Sequence, residues 1–97
     1  MFVQLMEYQT SKPDEVQRLH DEWKQATQGK RNARRTLVTK HHGDGDRFCE
    51  LVFFDSYDDA MENSKLPETQ EFAKRFRDAV DGEVTYFDLD VLDEEDL

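Results

Sequence analysis

The chain has 97 residues, 36% of them hydrophobic and 37% charged, which suits a single domain with a small core. No apolar run approaches the roughly 20 residues of a membrane-spanning helix, and Met1–Met6 lacks the basic leader of a signal peptide. With 13 basic and 23 acidic residues, the net charge of −10 repels phosphate backbones and anionic membrane surfaces, so neither nucleic acid nor membrane is expected as a partner.

The first half of the chain predicts a strand, a helix and a second strand. Residues that favour β-structure fill Phe2–Gln9. Ser11-Lys12-Pro13-Asp14 is typical of a helix start with Ser11 as the cap, and apolar residues then recur at helical spacing as far as Gly29. Residues 34–42 predict a weaker strand that suits the edge of a sheet, because only Leu37 and Val38 are large and apolar.

A basic run, Lys30–Arg35, departs from the acidic balance of the chain. Such a run could form a local anion site. It could equally be a solvated loop that leads into the second strand.

The second half predicts a turn, a strong strand, an interrupted helix and a last strand. Gly43 and Gly45 favour a turn before the strongest strand, Arg47–Phe54. Ser56 is typical of a helix cap, and Pro67 should break the helix that follows.

The last strand is predicted over 83–92 because apolar residues alternate there. We therefore expect one domain over residues 1–92, followed by an acidic C-terminal tail, 93–97.

Cys49 is the only cysteine, so no intramolecular disulfide can form. This favours a cytoplasmic location. Because Cys49 lies in an apolar run, we expect a small core residue rather than a reactive thiol.

The β-α-β-β-α-β order predicts an α+β, ferredoxin-like fold with both helices on one face of a four-stranded antiparallel sheet. The strands are nevertheless apolar on both faces. In the third strand, one face carries Cys49, Leu51 and Phe53, and the other carries Phe48, Val52 and Phe54. A bare second face would exceed the apolar patch of a typical soluble monomer, and an identical sheet is well suited to cover it. We therefore expect a homodimer whose sheets pack face to face or close into a barrel.

Residues in the second half carry a resemblance to a known family. They are Arg47-Phe48, Phe54-Asp55-Ser56, Ala60, Asn63-Ser64-Lys65-Leu66-Pro67-Glu68, Gln70, Phe72 and Gly82-Glu83-Val84-Thr85-Tyr86-Phe87. With them the chain resembles the dimeric α/β-barrel superfamily, in particular its antibiotic-biosynthesis-monooxygenase-like branch and that branch's small actinobacterial members. The resemblance implies a homodimer with one pocket per protomer, between the sheet and the helices.

The superfamily includes cofactor-independent oxygenases of polycyclic phenols and quinols, haem-degrading enzymes, and members with no known activity. The haem-degrading branch binds iron through a histidine of the second helix. The position that lines up here is Asn63, whose amide is a poor iron ligand, so haem is not expected. The sequence also lacks metal-ligand spacing and a phosphate-binding glycine loop, so we expect no metal and no organic cofactor.

Six residues are candidates for lining the pocket: Trp23, Asn63, Tyr86, His20, Phe53 and Phe76. Trp23 could stack on an aromatic ligand or be a core residue, and His20 could be a general base or lie at the solvent edge. Asn63 could orient a hydroxyl or an oxyanion, or could cap the first part of the broken helix. No motif identifies a catalytic residue.

Two functions remain open. The chain could be a non-catalytic dimer that binds a small hydrophobic or aromatic molecule. Alternatively, it could be a cofactor-independent monooxygenase of quinol or polycyclic aromatic substrates. An enzyme needs an enclosed pocket with converging polar groups. A space filled by Phe53 and Phe76 would exclude the enzyme.

Overall fold

The structure, a computed structural model, describes residues 1–97 and contains four strands and three helices. In chain order they are β1 (Phe2–Gln9), α1 (Pro13–Ala26), β2 (Arg35–Lys40), β3 (Arg47–Phe54), α2 (Tyr57–Ser64), α3 (Pro67–Ala79) and β4 (Thr85–Asp90). The predicted element order is confirmed, with the second helical region divided into α2 and α3. None of the helices has both the length and the apolar composition to cross a membrane.

The four strands form one antiparallel sheet in the order β2-β3-β1-β4. This is the predicted ferredoxin-like α+β fold. The weakly apolar β2 lies at one edge, as its composition predicts, and β4 lies at the other. Both edge strands are shorter than predicted.

Two of the three helices begin at the residues that the sequence predicts. Ser56 caps α2, its hydroxyl accepting a hydrogen bond from the Asp59 amide at 3.1 Å, and Pro67 begins α3 after the predicted break. Ser11 does not cap α1. The Thr10 hydroxyl instead accepts from the Lys12 amide at 2.9 Å and donates to the Ala79 carbonyl at 2.8 Å, which ties the start of α1 to the end of α3.

The core lies between one face of the sheet and the helices. Side chains alternate along a strand, so the even-numbered residues of β1 and β3 share this face. The buried members include Phe2, Met6, Tyr8, Val52, Phe54, Val16, Leu19 and Phe76.

The opposite face of the sheet carries apolar side chains and no helix. We call it the open face, and its apolar members are Val3, Leu5, Leu37, Leu51, Phe53, Phe87 and Leu89. Leu37, Phe87 and Leu89 are 37–45% exposed. The sequence prediction that both faces are apolar is therefore confirmed.

Cys49 also lies on the open face, next to Thr39 in β2, and not in the core as predicted. Burial and the nearby Glu7 charge raise the pKa of its thiol. Cys49 is therefore held as a neutral thiol at physiological pH, which makes it a poor nucleophile.

Candidate functional site

A cavity of about 220 Å³ lies between the sheet and the helices. We call it the aromatic cavity. Of the six residues predicted to line a pocket, five border it: His20, Trp23, Asn63, Phe76 and Tyr86. They come from α1, α2, α3 and β4, so the fold brings together residues that are distant in the sequence.

Phe53 does not border this cavity. Val52 and Phe54 face the helices, so Phe53, between them, faces the open side of the sheet. There the Arg35 guanidinium lies 5.1 Å from the centroid of its ring. The prediction for Phe53 was wrong because β3 is apolar on both faces, and hydrophobicity alone does not indicate which face is inward.

Aromatic rings from α1 and α3 form one wall of the cavity. The rings of Phe72 and Phe76 stack with centroids 5.5 Å apart, and Phe72 lies 6.3 Å from Trp23. Trp23 is held in place by its indole N–H, which donates to the Thr69 hydroxyl at 3.0 Å. This wall suits the face of a flat ring.

The cavity remains open although Phe76 is fully buried beside it. A cavity of about 150 Å³ admits benzene, and drug-sized ligands occupy about 300–1,000 Å³. The 220 Å³ here therefore suits a small ring system, and a larger polycycle would extend beyond it.

A buried histidine and a buried carboxylate meet at the cavity. His20 of α1 and Glu50 of β3 approach to 3.1 Å between Nε2 and Oε1, with side chains 7% and 3% exposed. Neither nitrogen of His20 has a well-aligned hydrogen-bond partner, so the two side chains meet without an aligned hydrogen bond. The His20 ring also stacks on Trp23, with centroids 5.8 Å apart.

Glu50 was not among the predicted site residues, although its sequence position carries a signal. It is the one charged residue in the run Phe48–Phe54, the most apolar part of the chain. A buried charge is costly unless it is paired, so such a residue indicates a partner across the core. The partner is His20, which the α1 pattern places beside the apolar stripe.

Asn63 borders the cavity and carries an unpaired acceptor. Its residue is 6% exposed, and Oδ1 has no hydrogen-bond partner in the chain. The end of α2 is closed by backbone contacts, including the Leu66 amide donating to the Asn63 carbonyl at 3.3 Å, and Oδ1 takes no part. An unsatisfied buried acceptor costs about 1–3 kcal/mol, which a ligand hydroxyl would recover.

Tyr86 borders the cavity from the edge strand β4, opposite Met6 in the sheet register. It is 46% exposed, so it lies where the cavity meets solvent. Its phenol is thus available to a ligand as a donor or an acceptor.

A second cavity of about 220 Å³ lies on another side of the His20–Glu50 pair, beside Tyr8 and Phe48. Burial, together with the Glu50 charge, raises the pKa of Tyr8 far above its ordinary value. Tyr8 is therefore a neutral phenol at every physiological pH. The His20–Glu50 pair lies between two spaces rather than at the end of one.

Two larger depressions, of about 470 and 530 Å³, are wide grooves on the outer surface of the helices. Only Trp23, among the predicted residues, borders either of them. The aromatic cavity is smaller but brings together the buried polar groups, and for this reason it is the candidate site. No three His, Cys, Asp or Glu side chains converge in a way that could hold a metal ion.

At the level of sequence, no family model and no curated protein matches this chain. Solved structures do match over nearly the whole chain. An Asn-to-Ala mutant of SnoaB, a cofactor-independent oxygenase from Streptomyces nogalater, aligns with a TM-score of 0.82 at 7% identity, covering 96% of this chain and 94% of SnoaB.

Two further structures have the same architecture. One, described as an antibiotic biosynthesis monooxygenase from Deinococcus radiodurans, has a TM-score of 0.79 at 13% identity and covers 100% of this chain and 98% of its own. Rv0793 from Mycobacterium tuberculosis has a TM-score of 0.74 at 17% identity, covering 99% and 100%. The resemblance to the antibiotic-biosynthesis-monooxygenase-like superfamily is thus confirmed as a likeness of fold.

Proposed function

We propose that this chain, a small α+β protein with the fold of the antibiotic biosynthesis monooxygenases, binds a hydroxylated aromatic molecule in the aromatic cavity. The observation that carries the proposal is the buried, unpaired Oδ1 of Asn63, a residue that borders a cavity walled by Trp23, Phe72 and Phe76. A phenol satisfies both features, because its ring stacks on the wall and its hydroxyl donates to the amide oxygen. Each aromatic contact contributes about 0.5–1.5 kcal/mol beyond area burial.

Asn63→Ala should weaken the binding of 2-naphthol by about tenfold, because the buried hydroxyl of the ligand loses its acceptor. Calorimetry measures this directly, and quenching of Trp23, the only tryptophan, confirms where the ligand lies. Naphthalene, which has no hydroxyl, should bind wild type and Asn63→Ala with similar affinity.

The matched control is Asn32→Ala. Asn32 is the other asparagine of the chain, and its amide donates to Glu62 at 3.0 Å at the surface. This variant should bind 2-naphthol as wild type does. Equal affinities of Asn63→Ala and wild type for 2-naphthol would contradict the proposal.

A second candidate function is favoured by the His20–Glu50 pair. A histidine beside a buried carboxylate can accept the proton of a bound phenol, since the carboxylate stabilises the imidazolium that forms. The resulting phenolate is the electron-rich form that dioxygen can oxidise. The fold is shared with SnoaB, which is a cofactor-independent oxygenase.

His20→Gln should then abolish oxygen uptake with 1,4-naphthohydroquinone above the spontaneous rate, because glutamine cannot take the proton. An oxygen electrode measures the rate, and 2-naphthol binding shows that the cavity is intact. General-base catalysis accounts for about 10²–10⁴-fold in rate. His42→Gln, in the exposed turn before β3, is the control. If wild type gives no uptake above background, the oxygenase candidate fails and the binding function stands.

We also propose that a second copy of the chain covers the open face. Support comes from its apolar side chains, which no helix of the same chain covers. The two copies each carry a charge of −10 and repel one another, but at 0.15 M salt this repulsion is screened beyond about 8 Å. Contact between the apolar faces acts within that range.

A further inference from the structure

We infer that the ligand of the aromatic cavity is an aromatic acid, whose carboxylate is bound by Arg31 in a basic groove beside the cavity. This inference rests on the proposed function and names the class of ligand. It also gives a role to the basic run Lys30–Arg35.

The groove has a volume of about 200 Å³ and is bordered by basic residues and no acidic one. Its lining consists of Trp23, Lys24, Arg31, Ala33, Arg34, Arg35 and Thr36. The chain as a whole has 23 acidic residues against 13 basic ones, so the local balance is the reverse of the overall one. Trp23 and Thr36 also border the aromatic cavity, so the two spaces adjoin.

Arg31 is the cation of this groove that has no acidic partner and lies against Trp23. Its Nη1 donates to the Lys24 carbonyl at 2.7 Å and to the Thr27 hydroxyl at 3.3 Å. Its Cζ lies 5.7 Å from the centroid of the Trp23 ring. A guanidinium has five N–H donors, so several remain for a carboxylate after these contacts.

The other cations of the groove are engaged elsewhere. Lys24 pairs with Asp21 at 3.2 Å and Arg34 with Asp55 at 3.2 Å, while Arg35 lies over Phe53 on the open face. None of the three is therefore free to bind the carboxylate in place of Arg31. Arg31 is therefore the residue to which the anion is assigned.

The position of Trp23 favours an aromatic acid over a free inorganic anion. Arg31 is held over the indole that borders the aromatic cavity, so a ring in the cavity brings its substituent toward the guanidinium. The net charge of −10 disfavours anions at long range, so selection of an acid must come from this local contact. Arginine binds carboxylates with two parallel hydrogen bonds, which adds geometric selectivity.

The experiment compares 6-hydroxy-2-naphthoate with its methyl ester, which is similar in shape but neutral. By calorimetry, wild type should bind the acid about tenfold more tightly than the ester, the size expected of one charge-assisted contact. In Arg31→Gln this ratio should fall to about one, while ester affinity changes by less than about twofold. Arg31→Lys keeps the positive charge but lacks the paired N–H donors of a guanidinium. It should retain part of the preference for the acid over the ester.

Arg77→Gln is the matched control, because Arg77 is exposed at the end of α3, away from the groove. It should leave the acid-to-ester ratio unchanged. Equal affinity of wild type for acid and ester would overturn this inference and leave the proposed function standing, and so would an unchanged ratio in Arg31→Gln. If 2-naphthol, the acid and the ester all fail to bind, the proposed function fails and this inference fails with it.

Discussion

Leu5→Asp should convert the proposed dimer into a monomer, lowering the mass in solution from twice 11.5 kDa to 11.5 kDa. Leu5 lies at the middle of the open face, paired with Leu51 of β3 on one side and Phe87 of β4 on the other. A carboxylate there would be buried against an apolar partner surface. Because the proposed interface is two-fold, each copy contributes one substituted residue, and two carboxylates are buried.

The expected effect is large because the free energy gained by burying the open face exceeds the cost of association by only a small amount. Each buried Leu or Phe contributes about 1.5–3 kcal/mol, while association costs about 4–15 kcal/mol, so the apolar side chains of the open face must nearly all contribute. Light scattering at micromolar concentration measures the mass. Gln28→Asp, in the exposed turn after α1, makes the same change in net charge and should remain dimeric. A wild-type mass of one chain would contradict the dimer.

His20→Leu should lower the free energy of unfolding by about 1–3 kcal/mol, because it removes the one side-chain partner of the buried Glu50 carboxyl group. His20 is the only basic side chain within 4.0 Å of the Glu50 carboxylate, and both side chains are almost fully buried. Urea denaturation measures the change. Protein concentration must be held constant, since the stability of the proposed dimer would depend on it.

The double variant His20→Leu with Glu50→Leu separates this cause from loss of packing. Replacing both polar partners by apolar residues leaves no unpaired buried group, so the double variant should be more stable than His20→Leu alone. A double variant less stable than the single one would show that the pair is held for another reason. This outcome would contradict the assignment of the loss to an unpaired carboxylate.

The sequence predicted the element order because local signals agree with the fold. Pro67 divides α2 from α3, and Ser56 caps α2 as expected. At α1, however, Ser11 is not the cap, because Thr10 makes a tertiary contact with Ala79 that no local pattern shows. Tertiary contacts of this kind lie outside what local patterns indicate.

For the site, the sequence indicated residue types better than faces. His20, Trp23, Asn63, Phe76 and Tyr86 border one cavity. Phe53 and Cys49 were misplaced because β3 is apolar on both sides, and alternation alone cannot choose the inner one. Glu50 indicates which face of β3 is inward. A charge in an apolar strand requires a partner, and among the candidate residues only His20 could be one.

For the basic groove, the sequence showed the residues but not their pairing. The run Lys30–Arg35 was evident in the sequence, but whether it forms an anion site depends on which of its cations are paired. Only the structure shows that Arg34 pairs with Asp55 while Arg31 has no acidic partner.

The most direct test of the central claim is a crystal structure of the protein with 2-naphthol. We expect the ring against Trp23 and Phe72 in the aromatic cavity, with its oxygen about 2.5–3.0 Å from Oδ1 of Asn63. A ligand bound only in a surface groove, or a cavity that stays empty at saturating 2-naphthol, would contradict the claim that this space is a binding site.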